Sequence, residues 1–270
     1  MESQGVRINK FLSEAGVCSR READRQIEQG NVTIDGREAV AGDRVFEGQV
    51  VTFQGRTVAK EEEMILLAFH KPVGIVCTAE KREKNNVIDF INYPKRIYPV
   101  GRLDKDSEGL LLLTNNGDIV NKMMRSGNRH EKEYLVTVNK IVTESFVRGL
   151  AGGVPLVELG TVTRKCRVEK TGRNQIRIVL TQGLNRQIRR MCEYFGYRVT
   201  KLERVRIMNI HLGELKPGEY RKVSEQEYKQ LLALIQDSSN APMKERTKQN
   251  RENSYENKNR QVKDGKRAKN

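Results

Sequence analysis

The sequence contains no tryptophan, few aromatic residues and no apolar run of the roughly 18 residues that a membrane-spanning helix needs. Residues 1–5 also lack the basic and apolar segments of a signal peptide. Both absences argue against a membrane partner, so we expect a cytoplasmic protein. Hydrophobic residues make up 37% of the chain and charged residues 31%, which allows a packed core of moderate size.

Cysteine and histidine are scarce, and their spacing excludes the common metal and disulfide motifs. The cysteines form no C-x-x-C pair and lie far apart, at Cys18, Cys77, Cys166 and Cys192. Reduced thiols of a cytosolic protein fit this pattern best. The histidines are equally dispersed, at His70, His130 and His211. We expect no metal, although a site assembled from distant residues stays open, and the missing Rossmann and P-loop patterns predict no nucleotide cofactor.

Acidic residues are too few to balance the basic ones, because 35 Asp and Glu face 50 Lys and Arg, a formal net charge of +15. Residues 1–60 are neutral, with 9 of each sign, whereas residues 61–236 carry 31 basic against 21 acidic and residues 237–270 carry 10 against 5. This excess predicts a polyanionic partner, with nucleic acid first and an anionic membrane second.

Changes in composition divide the chain into three segments. The polar stretch 60–63 has no apolar period and is predicted to link a small domain, residues 1–60, to a larger one, residues 61–236. The apolar period disappears after residue 236, while Asn, Gln, Ser and basic residues accumulate. Residues 237–270 are therefore predicted to be a disordered basic tail.

The first segment predicts two helices followed by a small sheet. Apolar residues at helical spacing mark residues 6–16 as a helix, and Ser19 with Glu22 forms a capping-box pattern for a second helix that ends at Gly30. Asp35–Gly36 is a typical hairpin turn between two short strands. Two capped helices and a hairpin at this spacing resemble the S4 RNA-binding domain.

The S4 resemblance implies a basic surface that contacts RNA phosphates and consists of Arg7, Lys10, Arg20, Arg21 and Arg25. Arg20 and Arg21 stand at the predicted start of the second helix, where the helix dipole adds to their positive potential. Because residues 1–60 are neutral overall, a solvated charged face is the alternative explanation.

Residues 61–236 predict an α+β domain, because strand and helix patterns alternate irregularly. Strands are predicted at 64–69, 75–78, 133–138, 161–169, 175–182 and 198–212. Helical spacing or caps mark helices at 119–127, 143–150, 184–196 and 224–235.

The loop Gly101–Gly109 is strongly charged and leads into a run of four leucines. It places Asp104 and Asp106 two residues apart, with Arg102 and Lys105 between and beside them. Neighbouring cations favour an ionised carboxylate, which can serve as a nucleophile or a base. On spacing alone, a charged turn before a buried strand is the better explanation of this pattern.

Three motifs, considered together, favour a catalytic loop over a simple charged turn. They are Gly101–Asp104, Glu131–Tyr134 and Gly183–Met191. In this order, behind an S4-like domain and a Lys71–Gly74 turn, they resemble the RsuA-type pseudouridine synthases over residues 6–236, and the RluF branch most of all. The resemblance implies an α+β fold in which an S4-type domain precedes a catalytic domain with a mixed, mainly antiparallel sheet flanked by helices.

By the same resemblance, Asp104 would be the catalytic carboxylate of an isomerase that converts a uridine of 23S rRNA to pseudouridine; some members also modify tRNA. The N1–C1′ bond breaks, the uracil turns, and C5 bonds to C1′. Tyr134 would stack on the uracil and help to remove the C5 proton, and Arg189 would pair with Asp104. Whether Asp104 attacks covalently or assists uracil departure and proton loss from the sugar stays open.

Physical requirements agree with this assignment. A paired base must be extruded at a cost of a few kcal/mol, and phosphate contacts with counterion release offset that cost. The residues implied to make such contacts beside the catalytic carboxylate are Arg102, Lys105, Arg186 and Arg190. An aromatic ring gives the base a stacking surface. No cofactor is needed, and a monomer is expected. Periodicity alone would make Tyr134 a core residue and Arg189 a surface charge.

Two other functions compete with this hypothesis. A non-catalytic S4 protein that assists ribosome assembly would share the RNA surface, but it would not require so large a second domain. A hydrolytic glycosidase usually needs two carboxylates, and Asp106 or Glu108 could supply the second. The net charge of +15 argues against a neutral sugar substrate.

Overall fold

The computed structural model describes residues 5–59, 63–80, 82–124, 126–236 and 238. The predicted basic tail, residues 237–270, lies outside this part of the chain except for Ser238. Within the described ranges, no helix is both long enough and apolar enough to cross a membrane.

Residues 5–59 form the two predicted helices, but they form two small sheets where the sequence predicts one. The helices are α1 (Ile8–Glu14) and α2 (Arg20–Glu28). The strands are β1 (Val6–Arg7), β2 (Val32–Ile34), β3 (Arg37–Glu38), β4 (Arg44–Val45), β5 (Val51–Phe53) and β6 (Arg56–Thr57). One sheet has the order β3-β2-β5-β6, and β1 pairs with β4. Leu12 and Ile27 of the helices are buried against Val32 and Val51 of the sheet, which gives these residues a core of their own.

Local hydrogen bonds account for the turns in this region. The Ser19 hydroxyl accepts a bond from the Glu22 amide at 3.1 Å, so α2 has the predicted cap. The capping box is only half formed, because the Glu22 carboxylate pairs with Arg25 at 2.5 Å instead of returning to Ser19. Asp35 and Gly36 have φ angles of 51° and 81°, the left-handed conformation that a two-residue hairpin requires.

Residues 63–238 build the second part of the molecule. Its helices are α3 (Val87–Ile91), α4 (Gly117–Met124), α5 (Glu144–Gly152), α6 (Gln187–Tyr194) and α7 (Glu225–Ile235). Its strands are β7 (Leu66–Lys71), β8 (Tyr98–Val100), β9 (Glu108–Thr114), β10 (Lys132–Val138), β11 (Pro155–Leu156), β12 (Thr161–Val162), β13 (Arg167–Gly172), β14 (Gln175–Leu180), β15 (Val199–Ile207), β16 (Ile210–His211) and β17 (Tyr220–Lys222).

A nine-stranded sheet organises this part, in the order β13-β14-β10-β15-β9-β7-β17, with β16 added to β15 and β8 added to β9. Among the described pairings of this sheet, β15 with β9 is parallel and the others are antiparallel. The mixed, mainly antiparallel sheet of an α+β fold is therefore confirmed.

The sheet separates two hydrophobic clusters, which explains why the leucine run of β9 is continuous. Leu111 and Leu113 contribute to one cluster, whereas Leu110 and Leu112 contribute to the other. Successive side chains of a strand point to opposite faces, so both faces of β9 are covered. Helices α5 and α6 pack on the first cluster through Phe146, Leu150, Ile188 and Met191, and α4 and α7 pack on the second through Ile119, Met123, Leu231 and Ile235.

The strand predicted at 75–78 is not formed. Its apolar residues Ile75 and Cys77 are buried, but the backbone makes only an isolated bridge between Val76 and Asn86. The buried Lys71 Nζ donates to the Ile75 carbonyl oxygen at 2.8 Å. A side chain therefore occupies the carbonyl that a neighbouring strand would otherwise use.

Candidate active site

The loop between β8 and β9 is shaped by two glycines that no other residue could replace without strain. Gly101 has φ 76°, and a Cβ there would collide with the sulfur of Met124. Gly109 has φ 106°, and a Cβ there would collide with the backbone of Arg204. The second glycine thus permits the parallel pairing of β9 with β15, in which Arg204 lies opposite Gly109.

A cavity of about 610 Å³ opens beside this loop, within the size range of small-molecule sites. The cavity collects residues from the three sequence motifs. Predicted site residues that line it are Arg102, Asp104, Lys105, Tyr134, Arg186 and Arg189. The structure therefore brings together six of the residues predicted to act or bind at the catalytic carboxylate.

Asp104 is partly exposed to this cavity, with 39% of its side-chain surface accessible. Its closest described cation is Arg186, whose Nη1 lies 4.0 Å from an Asp104 carboxylate oxygen. The same guanidinium lies 3.2 Å from Asp106. Arg186 precedes α6 in the left-handed conformation, at φ 48°, which is uncommon outside glycine and often marks a functional position.

The predicted pairing of Arg189 with Asp104 is wrong. Arg189 is buried and its Nη2 donates to the Asp106 carbonyl oxygen at 2.8 Å and to the Ser107 hydroxyl at 3.1 Å. The same nitrogen lies 3.5 Å from the Asp106 carboxylate. Arg186 precedes α6 in a left-handed conformation whereas Arg189 lies inside the helix, so the two guanidinium groups reach different parts of the loop.

Tyr134 belongs to the hydrophobic core and also lines the cavity. It lies on β10, opposite Arg204 of β15 and Ile178 of β14. The residue is 9% exposed and belongs to the first hydrophobic cluster, yet it also lines the cavity. A ring held by the core and presented to a cavity is suited to stack on a flat ligand.

Sequence reasoning missed Arg204, which is 2% exposed and lines the cavity. Its Nε donates to the Leu110 carbonyl oxygen at 2.7 Å and its Nη1 to the Arg102 carbonyl oxygen at 3.3 Å. Among the described residues its Nη2 has no hydrogen-bond partner. An arginine two residues after Leu202 on an alternating strand is the signal that could have identified it.

Two further lysines, the buried Lys71 and the half-buried Lys132, add positive charge close to the cavity. Burial lowers the pKa of Lys71, whose Nζ donates to the carbonyl oxygens of Pro72 and Ile75, each at 2.8 Å. Burial and the Arg204 guanidinium lower the pKa of Lys132 to about 8, and Lys132 also lines the cavity. Such crowding of cations favours an anionic ligand.

Several predicted RNA-binding residues lie elsewhere. Arg190 is outside the cavity lining and pairs with Glu158. Lys10 pairs with Asp118 of α4 at 2.7 Å, so it is engaged within the protein. The remaining residues of the predicted S4 surface are exposed on residues 5–59, namely Arg7, Arg20, Arg21 and Arg25. Arg20 and Arg21 stand at the N-terminus of α2, as the sequence predicts.

Comparison with known proteins decides the family. A family model described as S4 domain matches residues 6–51, and one described as RNA pseudouridylate synthase matches residues 65–194. The dual-specificity RNA pseudouridine synthase RluF of Salmonella typhi is 58% identical over 236 residues, which span 87% of this chain and 81% of that protein. This chain belongs to the RsuA-type RNA pseudouridine synthases with an S4 domain.

Other relatives of this synthase agree. RluF of Escherichia coli strain K12 is 55% identical over 241 residues, 88% of this chain and 82% of the relative. Ribosomal large subunit pseudouridine synthase B of Bacillus subtilis is 35% identical over 242 residues, 87% of this chain and 99% of the relative. A crystal structure of a pseudouridylate synthase matches 84% of this chain and 99% of that chain, with a TM-score of 0.62 and 28% identity.

The chain is therefore an RNA pseudouridine synthase, an isomerase whose substrate is RNA. Neither rival hypothesis is supported. Residues 65–194 match the RNA pseudouridylate synthase family, and neither a non-catalytic S4 protein nor a hydrolytic glycosidase would contain that domain.

Proposed function

We propose that Asp104 is the catalytic carboxylate of this synthase and that the cavity beside it holds the extruded uridine. The partial exposure of Asp104 toward a cavity that Tyr134 also lines is the observation that carries the proposal. Asp104 acts where the N1–C1′ bond breaks and the C5–C1′ bond forms. Tyr134 stacks on the uracil while it turns, and its hydroxyl assists removal of the C5 proton.

Arg186, which precedes α6, and Arg189, which lies in it, have separate roles in this proposal. Arg186 is the cation beside Asp104, with its Nη1 4.0 Å from the carboxylate. Arg189 is a positioning residue, because its contacts reach the Asp106 carbonyl and the Ser107 hydroxyl. Arg204 Nη2, which has no hydrogen-bond partner in the described part of the chain, donates to an acceptor of the bound nucleotide, since a buried donor without a partner is costly.

RNA is held by basic residues around the cavity and on the S4-type domain. Arg102, Lys105 and Arg186 meet phosphates next to the flipped uridine, and Arg190 extends this surface when its pair with Glu158 opens. Arg7, Arg20, Arg21 and Arg25 contact phosphates farther away, and Lys10 joins them when it leaves Asp118. Each phosphate contact releases counterions, so affinity will fall steeply with salt.

The division of labour follows the proposed domains: residues 1–60 bind RNA, residues 61–236 catalyse, and residues 237–270 supply an additional basic tail. The substrate is a uridine of 23S rRNA, with tRNA as a second substrate, because relatives at 58% and 55% identity are named dual-specificity synthases. We propose that the enzyme acts as a monomer in the cytoplasm and uses no cofactor.

Asp104→Asn tests the catalytic proposal. We expect the rate of pseudouridine formation in transcribed 23S rRNA fragments to fall by more than about 100-fold, whereas RNA affinity stays within about threefold of wild type. Asp106→Asn is the matched comparison two residues away, and it should retain measurable turnover because the Arg189 contact to the Asp106 carbonyl remains. Wild-type turnover in Asp104→Asn would disprove the assignment.

The substrate is tested separately. Pseudouridine mapping of rRNA and tRNA from a deletion strain should show which positions lose the modification, and plasmid-borne wild-type protein should restore them. An unchanged 23S rRNA profile would contradict the proposed substrate without affecting the role of Asp104.

A further inference from the structure

A second cluster of polar side chains lies away from the cavity, on the central strands of the sheet. His70 of β7, Glu108 of β9 and Glu203 of β15 each offer a ligand atom, and these atoms all lie within 4.8 Å of one another. Glu108 and Glu203 are direct partners in the parallel pairing. Because Glu203 precedes Arg204 on the same strand, the cluster is on the sheet face opposite the cavity.

His70 is the unusual member of this cluster. It is 5% exposed, and its Nδ1 lies 2.7 Å from the Leu215 carbonyl oxygen. A carbonyl only accepts, so Nδ1 carries a proton, and Nε2 is the ring nitrogen left for a further ligand. Within the described part of the chain, buried Nε2 has no hydrogen-bond partner. An imidazole oriented by a backbone carbonyl is the usual arrangement of a metal-ligating histidine.

The two carboxylates already attract a cation. Lys201 Nζ lies 2.8 Å from Glu108 and 3.5 Å from Glu203. The Lys201 side chain is 57% exposed, so its ammonium group is free to move into solvent. An ammonium at this position pairs with the carboxylates and leaves His70 Nε2 unpartnered. An ion with three open coordination positions would satisfy all three groups at once.

We propose that His70 Nε2, Glu108 and Glu203 bind a divalent transition-metal ion, Zn²⁺ in the first instance, which displaces the Lys201 ammonium. One imidazole nitrogen with two carboxylate oxygens suits Zn²⁺, whereas Mg²⁺ and Ca²⁺ prefer oxygen ligands alone. Ligands about 2.1 Å from a tetrahedral zinc lie roughly 3.4 Å apart. Small rotations of the two partly exposed glutamates would close the present spacing, and water would fill the fourth position.

The ion would link three neighbouring strands at the point where β9 begins, directly after the loop of Asp104. It would take no part in the isomerisation, because Glu203 and Arg204 face opposite sides of the sheet. Its expected effect is resistance of the sheet to unfolding, since an ion that binds only the folded state stabilises that state.

Zinc titration of the chelator-treated full chain tests this site. By isothermal titration calorimetry, we expect one tight equivalent of Zn²⁺ and no saturable binding of Mg²⁺ or Ca²⁺ at the same concentrations. Glu203→Gln should weaken the tight site by at least about tenfold. Lys201→Met should tighten it by several-fold, because no ammonium competes. Glu169→Gln, an exposed glutamate on β13, is the matched control and should leave the titration unchanged.

Equal zinc affinity of wild type and Glu203→Gln would overturn the site, and so would weaker binding by Lys201→Met. Circular dichroism without zinc shows whether each variant folds; if Glu203→Gln does not, the direction of the Lys201→Met change decides. Pseudouridine formation is not a readout here, so this proposal and the role of Asp104 fail independently.

Discussion

Arg189 and Asp106 are joined at two points, because Arg189 Nη2 donates to the Asp106 carbonyl oxygen at 2.8 Å and lies 3.5 Å from the Asp106 carboxylate. The guanidinium is buried, whereas the Asp106 side chain is half exposed. Helix α6 therefore holds the backbone of the loop that presents Asp104. The position of the carboxylate depends on a residue that does not touch it.

Arg189→Lys separates the geometry of this contact from its charge. A lysine keeps the positive charge, but its single nitrogen cannot reproduce the Nη2 contacts to Asp106 and Ser107 together with the Nη1 bond to the Val199 carbonyl oxygen. We expect turnover at saturating RNA to fall by about 100-fold, because a small displacement of the catalytic group has effects of that size, and RNA affinity to change little. Single-turnover kinetics measure both values. The exposed Arg148→Lys on α5 is the control, and equal turnover in Arg189→Lys and wild type would refute the positioning role.

Lys132 should make RNA binding sensitive to pH. Burial and the Arg204 guanidinium lower its pKa to about 8, so its charge disappears between pH 7 and pH 9. We expect RNA affinity to fall over that range as one cation is lost from the cavity. In Lys132→Arg the fall should vanish, because a guanidinium stays charged. Filter binding at constant ionic strength measures the RNA affinity at each pH. Identical pH profiles for wild type and Lys132→Arg would count against the prediction.

The same lysine affects stability with a definite sign. Its pKa in the fold is below the ordinary value of 10.5, so the unfolded chain binds more protons between pH 8 and pH 10.5. The free energy of unfolding therefore gains a contribution that rises with pH across this window. Comparison of urea unfolding at pH 8 and pH 10 between wild type and Lys132→Met isolates that contribution, which the variant lacks.

The pair of Lys10 with Asp118 keeps a predicted RNA-binding residue engaged within the protein. Asp118→Asn should remove the shorter of the two ion pairs of Lys10 and leave only Glu14 at 3.5 Å. RNA binding should then tighten by up to several-fold at low salt, and the salt dependence should increase by no more than about one phosphate contact. Its cost in stability should be less than about 1 kcal/mol, as for other partly exposed ion pairs. In a Lys10→Gln background the same substitution should leave affinity unchanged; a gain there would show that Lys10 is not responsible.

Gly109→Ala should destabilise the fold by at least about 2 kcal/mol, because its left-handed backbone and the adjacent Arg204 backbone both exclude a Cβ. Gly152→Ala, at the end of α5 with open space around it, is the matched control and should change stability by no more than about 1 kcal/mol. Urea unfolding measures both. Similar midpoints for the two variants would mean that β9 and β15 separate easily.

Features that depend on neighbours in sequence were predictable. Asp35–Gly36 forms the expected hairpin turn, Ser19 caps α2, and Ser224 with Glu227 forms a complete capping box on α7. The strand predicted at 75–78 is reduced to the Val76–Asn86 bridge, and Lys71, four residues earlier, donates to the Ile75 carbonyl oxygen. The spacing of apolar residues does not predict a hydrogen bond from a side chain to the nearby backbone.

The sequence by itself determined most of the longer helices and strands, the basic excess of residues 61–236 and the three motifs that meet at the cavity, because propensities, caps and charge are properties of short segments. Only the tertiary structure decided that Arg186, not Arg189, stands beside Asp104, and that Arg204 is buried at the cavity. These contacts join residues that are far apart along the chain. Their geometry depends on strand register and helix phase, which appear only when the sheet is assembled.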